Sequence, residues 1–579
     1  MTPFKLIQRS ASVLVISIFC SFASLAQEEN ALEPVSKTYA ITNVNIVQSP
    51  GKKIELGTVV VKDGLIMAVG KGVSIPPEAI TIKADSMFLY AGFIDGLSRA
   101  GVSKPKEEPN REKIKDPGNP PADRAGITPQ NDVRNFLNVS DKSIEDLRNV
   151  GFTVAHVVPY GNLLPGRGSI VLLGGKSTDQ MVLVSNSSFY SELSGANNVY
   201  PQTIMAVMAK WRELYRQASQ AKSYQNVYAS NRSGLERPGS DRVLEAFYPV
   251  IDQRMPVFFK SEKMLETQRI FSLKNDLGFS LMIGDVKEGW PIVNKIKSSG
   301  AKVFLSLDLP EDVKKDEKKS DKKDDKAVDK KEELKKEEPA KPKTAWDIEK
   351  AALEKRKDES IANYISQASV FSKAGVAFGF STMSAKPKDI AANLRRMIAA
   401  GLTEDAALAS LTTTPAQLLG LSDRMGTVEN GKMANLVISD KSYFNEKAKV
   451  RYVFVDGVLY KMDVKEEKKS DPNMKVDIEG TWSTVTQSPQ GNTEGKATFK
   501  KDGNNYSGTV SGGRLPAPVD MKDVSLDGNK LTYSYTLNFG GNSIKVEVDA
   551  TVEGDSFKGN ASVGQFGSFA IEGTKNPKK

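Results

Sequence analysis

Histidine and cysteine are almost absent from this sequence, whose 579 residues include one of each. Structural zinc sites, histidine-activated nucleophiles and Ser-His-Asp triads all depend on these residue types. The composition therefore excludes most hydrolytic machinery. A strong charge of one sign is also lacking, because 80 basic and 71 acidic residues leave a net charge of only +9. We therefore expect no nucleic-acid binding.

The first 26 residues have the pattern of an export signal. Two basic residues precede an apolar run at 12–22, and small residues occupy the cleavage site. Cleavage would remove Cys20, so we expect a mature chain without disulfides or reactive thiols. Lipid attachment at Cys20 is disfavoured because the bulky Phe19 precedes it. We expect a protein that is periplasmic, peripheral to the outer membrane or secreted, with no transmembrane segment in the mature chain.

The pattern of apolar residues changes twice along the chain. Short β-type runs with an Asp63-Gly64 turn come first, alternating strand and helix patterns follow, and β-type runs then return. Repeated β-then-α units imply a parallel sheet, and the return implies an insertion. We predict an α/β fold: a TIM-type (β/α)8 barrel at 92–415, inserted in a split β-sandwich formed by 37–91 and 416–462.

Two charged stretches interrupt this arrangement. In the stretch 311–343, 13 lysines and 12 acidic residues fill 25 of the 33 positions, which predicts a disordered insertion. A solvated loop is the simpler interpretation, and a docking arm for a partner is the alternative. A charged linker at 463–476 precedes a β-rich C-terminal module at 477–579, predicted to be an all-β barrel or sandwich with Trp482 in its core.

Several motifs resemble the metal-dependent amidohydrolase superfamily. The run AGFIDGLSR at Ala91–Arg99 is similar to the Pro-Gly-Phe-Ile-Asp-x-His-x-His signature that opens the superfamily's barrel. The runs that begin at Gly401, Gly426 and Val450 resemble its closing helices and returning strands. The likeness is nearest to the imidazolonepropionase-like and dipeptidase-like branch, covers roughly residues 38 to 462 and leaves out the C-terminal module.

The resemblance also implies which positions should bind metal, and the residues there are unsuitable. The two histidines after the first barrel strand are replaced by Leu97 and Arg99, the strand-five histidine by Lys260, and the aspartate of the last strand by Ser381. The strand-six histidine, expected near Met282 to Asp285, is also missing. Hydrolysis by a metal-bound water needs such ligands. We therefore expect no metal cofactor and no catalytic residue of the superfamily's kind, which indicates a pseudoenzyme.

Three functions remain open after these losses. The first is a non-catalytic subunit that binds a ligand or a catalytic amidohydrolase homologue. The second is a hydrolase of C–N bonds, in non-peptide or dipeptide substrates, that uses a non-standard site such as Asp95, Asp285 or Glu262 with Lys260. The third is a site for a small anionic ligand, gripped by Arg99 and Lys260 at the barrel mouth.

Shielding two unpaired cations from water at the mouth would cost free energy, so we expect an acidic partner for them. The predicted cluster is Arg99 and Lys260 with Asp95 and Asp285, either as internal salt bridges or around an anion. The single mature-chain histidine, His156, lies in an apolar strand and is expected to be a satisfied core residue, with a catalytic role as the alternative.

Overall fold

The computed structural model describes residues 38–105, 114–311, 345–462 and 476–576, with short breaks inside the last of these ranges. The chain divides into two compact units at residues 464 and 465. The predicted export signal lies outside the described residues, as do the charged insertion and the linker apart from single residues at their edges. Within the described residues, no helix is both long and apolar enough to span a bilayer.

An eight-stranded sheet, sheet A, joins the two ends of the first unit. Its strands are β1 (Thr38–Ser49), β2 (Lys52–Lys62), β3 (Leu65–Gly70), β4 (Ile80–Lys83), β5 (Phe88–Ala91), β14 (Leu436–Ser439), β15 (Val450–Val455) and β16 (Val458–Lys461). The order is β16-β15-β14-β5-β1-β2-β3, with β4 paired to β1. Asp63 and Gly64 both have positive φ, as a tight hairpin turn requires. The predicted return of the chain to its first sheet is confirmed by the pairing of β14 with β5.

The segment between β5 and β14 forms the predicted barrel. Its eight strands are β6 (Phe93–Ser98), β7 (Phe152–Val157), β8 (Gly166–Leu172), β9 (Val182–Glu192), β10 (Val257–Lys260), β11 (Leu281–Val286), β12 (Lys302–Ser306) and β13 (Phe378–Ser381). They are neighbours in chain order. All adjacent pairs are parallel except those of β8, which is antiparallel to β7 and to β9. A hairpin strand therefore occupies the third position of the barrel.

Helices surround the barrel and bury the outward faces of its strands. They are α1 (Lys142–Asn149), α2 (Thr178–Met181), α3 (Ile204–Ser230), α4 (Arg242–Glu245), α5 (Tyr248–Ile251), α6 (Met264–Leu277), α7 (Val293–Ser299), α8 (Ala345–Lys373), α9 (Ile390–Ala399), α10 (Glu404–Leu411) and α11 (Thr413–Leu419). The outer core includes Trp211 of α3, whose ring contacts Phe247 and Phe259 at centroid distances of 5.5 and 5.8 Å.

The C-terminal module is all β, as predicted. Its strands are β17 (Gly480–Ser488), β18 (Gly491–Asp502), β19 (Asn505–Ser511), β20 (Val519–Asp520), β21 (Lys522–Asp527), β22 (Lys530–Phe539), β23 (Asn542–Glu553), β24 (Ser556–Val563) and β25 (Ser568–Lys575). β20 and β21 end opposite edges of the strand order yet follow each other in the chain, so the sheet curls into a barrel-like form. Trp482 is fully buried in its core against Phe557.

Candidate functional site at the barrel mouth

The interior of the barrel is filled by an apolar cluster, which we call the barrel plug. Its members point inward from the strands or lie just beyond their ends and are nearly or fully buried: Leu97, Val158, Tyr190, Phe258, Met282 and Phe304. Glycines make room for its rings. A Cβ on Gly96 would lie 1.8 Å from the Phe304 ring, and one on Gly284 would lie 2.7 Å from Phe258. The sequence therefore builds a packed interior here.

Leu97 occupies the first position at which the resemblance implies a metal ligand. Its side chain is fully buried in the barrel plug and offers no lone pair. At the fourth of these positions, the Ser381 hydroxyl donates a hydrogen bond to the Leu97 carbonyl at 2.9 Å. Leu97 therefore packs in the barrel interior, and Ser381 joins the last strand to the first.

Arg99 lies at the end of β6 and pairs with a carboxylate that the sequence analysis did not identify. Its guanidinium donates to Glu192 Oε1 at 2.7 Å and lies 4.5 Å from the centre of the Tyr160 ring. The Tyr190 hydroxyl donates to the same carboxylate oxygen at 2.7 Å. Burial, and then the charge of Glu192, raise the pKa of Tyr190 well above its ordinary value. Tyr190 therefore remains a neutral donor to Glu192.

Lys260, at the end of β10, belongs to a separate chain of ion pairs. Its ammonium lies 2.8 Å from Glu262, which lies 4.0 Å from Lys287, and Lys287 lies 2.8 Å from Asp308. Burial alone would raise the pKa of Glu262, but the hydrogen bond from Lys260 and the neighbouring positive charges outweigh it and lower the pKa. The carboxylate of Glu262 is thus held in its charged form by three lysines, Lys260, Lys287 and Lys263.

Asp95 is fully buried at the seam between the first and last strands of the barrel. Its Oδ1 accepts hydrogen bonds from the backbone N–H groups of Thr382 at 3.0 Å and Leu97 at 3.2 Å, and its Oδ2 accepts from the Thr382 hydroxyl. Burial raises the pKa of Asp95 to about 7, although these hydrogen bonds favour the charged form. Asp95 therefore joins β6 to β13.

Asp285 is fully buried at the end of β11 and has a positive φ of 59°. Its Oδ2 accepts a hydrogen bond from the Ser384 hydroxyl at 2.5 Å, whereas its Oδ1 has no hydrogen-bond partner within the described structure. Burial raises the pKa of this carboxyl, against the opposing hydrogen bonds and the charges of Lys260 and Lys287. Its strained backbone and unpartnered oxygen set it apart from Asp95.

The four charged residues that the sequence placed in one cluster do not pair with each other. Arg99 pairs with Glu192 and Lys260 pairs with Glu262, while Asp95 and Asp285 accept hydrogen bonds from their own neighbours. The expectation of a single internal carboxylate shared by Arg99 and Lys260 is therefore wrong, and a bound anion between them stays a prediction. Arg99 reaches across the barrel to Glu192, three positions away in the strand order, whereas Lys260 pairs with Glu262, two residues further along the chain.

His156 is a core residue of the barrel interior. It is fully buried, stacks on Phe258 at a centroid distance of 5.0 Å, and its Nε2 lies 3.0 Å from the Ser188 hydroxyl. Burial lowers the pKa of His156 to about 3. The core position agrees with the expected structural role, but the imidazole is not fully satisfied, because its Nδ1 has no hydrogen-bond partner within the described structure.

The residues at the four positions that the resemblance implies to be metal ligands do not fit a divalent metal ion. Leu97 has no donor atom, Arg99 and Lys260 are cations, and Ser381 uses its hydroxyl to join strands. Across the described ranges, no group of three or more His, Cys, Asp or Glu side chains is arranged to hold a metal. These four positions thus lack the anionic and imidazole ligands of a hydrolytic site.

Comparison with known proteins agrees with the predicted resemblance. Residues 345–460 match the model of the amidohydrolase family. An amidohydrolase from Thermotoga maritima has the same fold, with a TM-score of 0.57 and 18% identity over 73% of this chain and 100% of that chain. The barrel unit has the fold of that amidohydrolase. A prolidase complexed with N-methylphosphonate-L-proline is also similar to this unit, at 15% identity and a TM-score of 0.40, covering 73% and 99% of the two chains. No curated protein matches the sequence.

Two partners in the mouth of this barrel were missed by the sequence analysis. Glu192 ends β9, directly after the buried Tyr190-Ser191 pair, and Thr382 follows β13. A polar residue at the end of an apolar strand is the signal that could have identified them. That Glu192 meets Arg99 and Thr382 meets Asp95 depends on the barrel order, which the sequence pattern does not supply.

Proposed function

We propose that this protein is an exported amidohydrolase-fold protein that has lost the metal site and acts as a non-catalytic binding or partner subunit. The observation that carries the proposal is the barrel plug around Leu97, together with the two cations at positions implied to be metal ligands. An intact scaffold without the ligand set suits binding better than hydrolysis. The basic start and apolar run of residues 1–26 support export.

The proposed occupant of the mouth is a small anionic ligand or a catalytic amidohydrolase homologue. Arg99, Lys260 and Lys287 supply positive charge there, although each has a carboxylate partner. The second candidate function is hydrolysis of C–N bonds through a non-standard site. The unpartnered Oδ1 of Asp285, close to Lys260, is the observation that favours it.

Metal analysis and activity assays on the purified full chain test the proposal together. After dialysis, we expect far less than one zinc, manganese or iron ion per chain, and no turnover of dipeptides, N-acyl amino acids or cyclic amides. The proposal fails if a metal is retained at one per chain and hydrolysis is observed. Asp358→Asn, on the exposed part of α8, is the control variant. If Asp285→Asn abolishes that hydrolysis and the control does not, hydrolysis of C–N bonds replaces the binding role as the proposed function.

Native purification followed by identification of co-purifying proteins addresses the partner. A histidine-complete amidohydrolase that co-elutes and is lost on charge reversal at Lys260 supports the subunit role. A chain that elutes alone, with unchanged elution in Lys260→Glu, leaves ligand binding as the proposed role.

A further inference from the structure

A cavity of about 220 Å³ lies beside the barrel mouth, away from the barrel plug. Its walls come from the residues that follow β10, β11 and β12, and from one face of α8. The side chains that matter for its chemistry are Glu262, Lys263, Lys287, Glu288, Trp290 and Tyr364. At about 30 Å³ for each water molecule, the cavity has room for about seven. It is thus smaller than the usual pockets for drug-sized ligands.

The apolar part of the cavity is an aromatic wall. The rings of Trp290 and Tyr364 lie nearly parallel, with an interplanar angle of 22° and centroids 6.3 Å apart. The Tyr364 hydroxyl donates to the carbonyl of Asp308, which fixes the orientation of this ring. Aromatic rings attract both hydrocarbon groups and cations, so this wall suits the body of a small ligand that carries an ammonium group.

The charged part of the cavity leaves one group of each sign without an ion-pair partner. Lys287 is engaged by Asp308 at 2.8 Å, and Glu262 is engaged by Lys260 at 2.8 Å. In the described structure, Lys263 and Glu288 make no ion pair within 4.0 Å. The Glu288 carboxylate accepts only a long hydrogen bond, from the Met264 N–H at 3.5 Å. The wall therefore offers an ammonium and a carboxylate that no ion pair within 4.0 Å engages, although the charge of Lys263 also acts on Glu262.

We propose that this cavity binds a small zwitterion, with its carboxylate at Lys263 and its ammonium group between Glu288 and the Trp290 ring. Both groups are exposed at the rim of the cavity, and a ligand that carries both charges could contact both of them at once, which a ligand with one charge could not. The inference deepens the proposed binding role and rests on it. It places the ligand beside β10 and β11 instead of at Arg99.

Titration calorimetry of the full chain with β-alanine and 4-aminobutyrate tests the site. Butyrate and butylamine serve as ligands that carry only one of the two charges. We expect at least one of the two zwitterions to bind. Butyrate and butylamine should each bind at least about tenfold more weakly than that zwitterion. Lys263→Met and Glu288→Gln should each weaken binding of the zwitterion at least about tenfold, because each removes a charge-assisted contact.

The matched controls are Lys295→Met on α7 and Glu354→Gln on α8, both exposed and outside the cavity lining. They should leave the affinity unchanged. Trp290→Leu should weaken binding while the lining charges remain, and circular dichroism checks that each variant is folded. The inference is overturned if neither zwitterion binds at millimolar concentration, if butyrate or butylamine binds equally well, or if the lining variants bind like the controls.

Failure of this inference is distinguishable from failure of the proposed function. The metal content and the hydrolysis assays do not involve Lys263 or Glu288. A chain without metal or turnover that binds no zwitterion therefore contradicts this site alone. A chain that retains metal and hydrolyses its substrate contradicts the proposed function, whatever the calorimetry gives.

Discussion

The Asp95 carboxylate accepts a hydrogen bond from the backbone N–H of Thr382 at 3.0 Å, which joins the first strand of the barrel to the last. The same oxygen accepts from the Leu97 N–H, and the Thr382 hydroxyl donates to the second oxygen. β6 and β13 are the two ends of the strand order. One buried side chain therefore accepts two hydrogen bonds across the seam between β6 and the residue that follows β13.

Asp95→Ala should destabilise the barrel unit by about 2–4 kcal/mol, because it leaves buried N–H groups of Leu97 and Thr382 without an acceptor. Urea unfolding monitored by tryptophan fluorescence measures the change. Asp358→Ala, on the exposed part of α8, is the control and should alter stability by less than about 0.5 kcal/mol. Equal stabilities for the two variants would show that Asp95 does not hold the seam.

His156 should make the protein sensitive to acid. Its pKa is lowered to about 3 in the folded state, so its stabilising effect is present above the unfolded value of 6.5 and is lost as the pH falls towards 3. Between pH 7 and pH 4, the wild type should lose about 3 kcal/mol that His156→Gln does not lose. Unfolding measured across this range gives the difference. Parallel pH profiles for the two proteins would contradict a buried neutral imidazole.

Leu97→Ala should cost about 2–5 kcal/mol in unfolding free energy, because it opens a cavity in the barrel plug. Leu97→Met conserves volume and should cost less than about 1.5 kcal/mol. Thermal unfolding followed by circular dichroism compares the two variants. If Leu97→Ala is as stable as Leu97→Met, the interior is not packed as described, and space for a ligand would exist there.

Arg99 and Glu192 should be energetically coupled, because their ion pair is mostly shielded from water, with exposed fractions of 22% and 17%. A double-mutant cycle with Arg99→Met and Glu192→Gln should give a coupling energy of about 1–3 kcal/mol. Arg99→Met alone should cost more than the double variant, since it leaves the Glu192 carboxylate without its cation. Additive effects of the two substitutions would show that the pair makes no net contribution.

The sequence by itself determined the strand positions that form the mouth. Leu97 and Ser381 lie within β6 and β13, Arg99 directly follows β6, and Lys260 ends β10, because β-type apolar runs mark their own boundaries. The return of the chain to sheet A could likewise be predicted from the β-type run that begins at Ala434. The antiparallel direction of β8 could not be predicted. Gly166–Leu172 has the apolar pattern of any buried strand, and its direction depends on its neighbours.

Only the tertiary structure decided which groups distant in the chain meet, whereas the ion pair of Lys260 with Glu262 is local. Arg99 and Glu192 are 93 residues apart, and neither local propensity nor periodicity carries information over that distance. The same holds for Asp95 and Thr382, which are 287 residues apart. Residue types and alternation specify which side chains point into the barrel, because they act within a strand. The partners of those side chains follow from strand order and closure, which arise when the whole barrel packs.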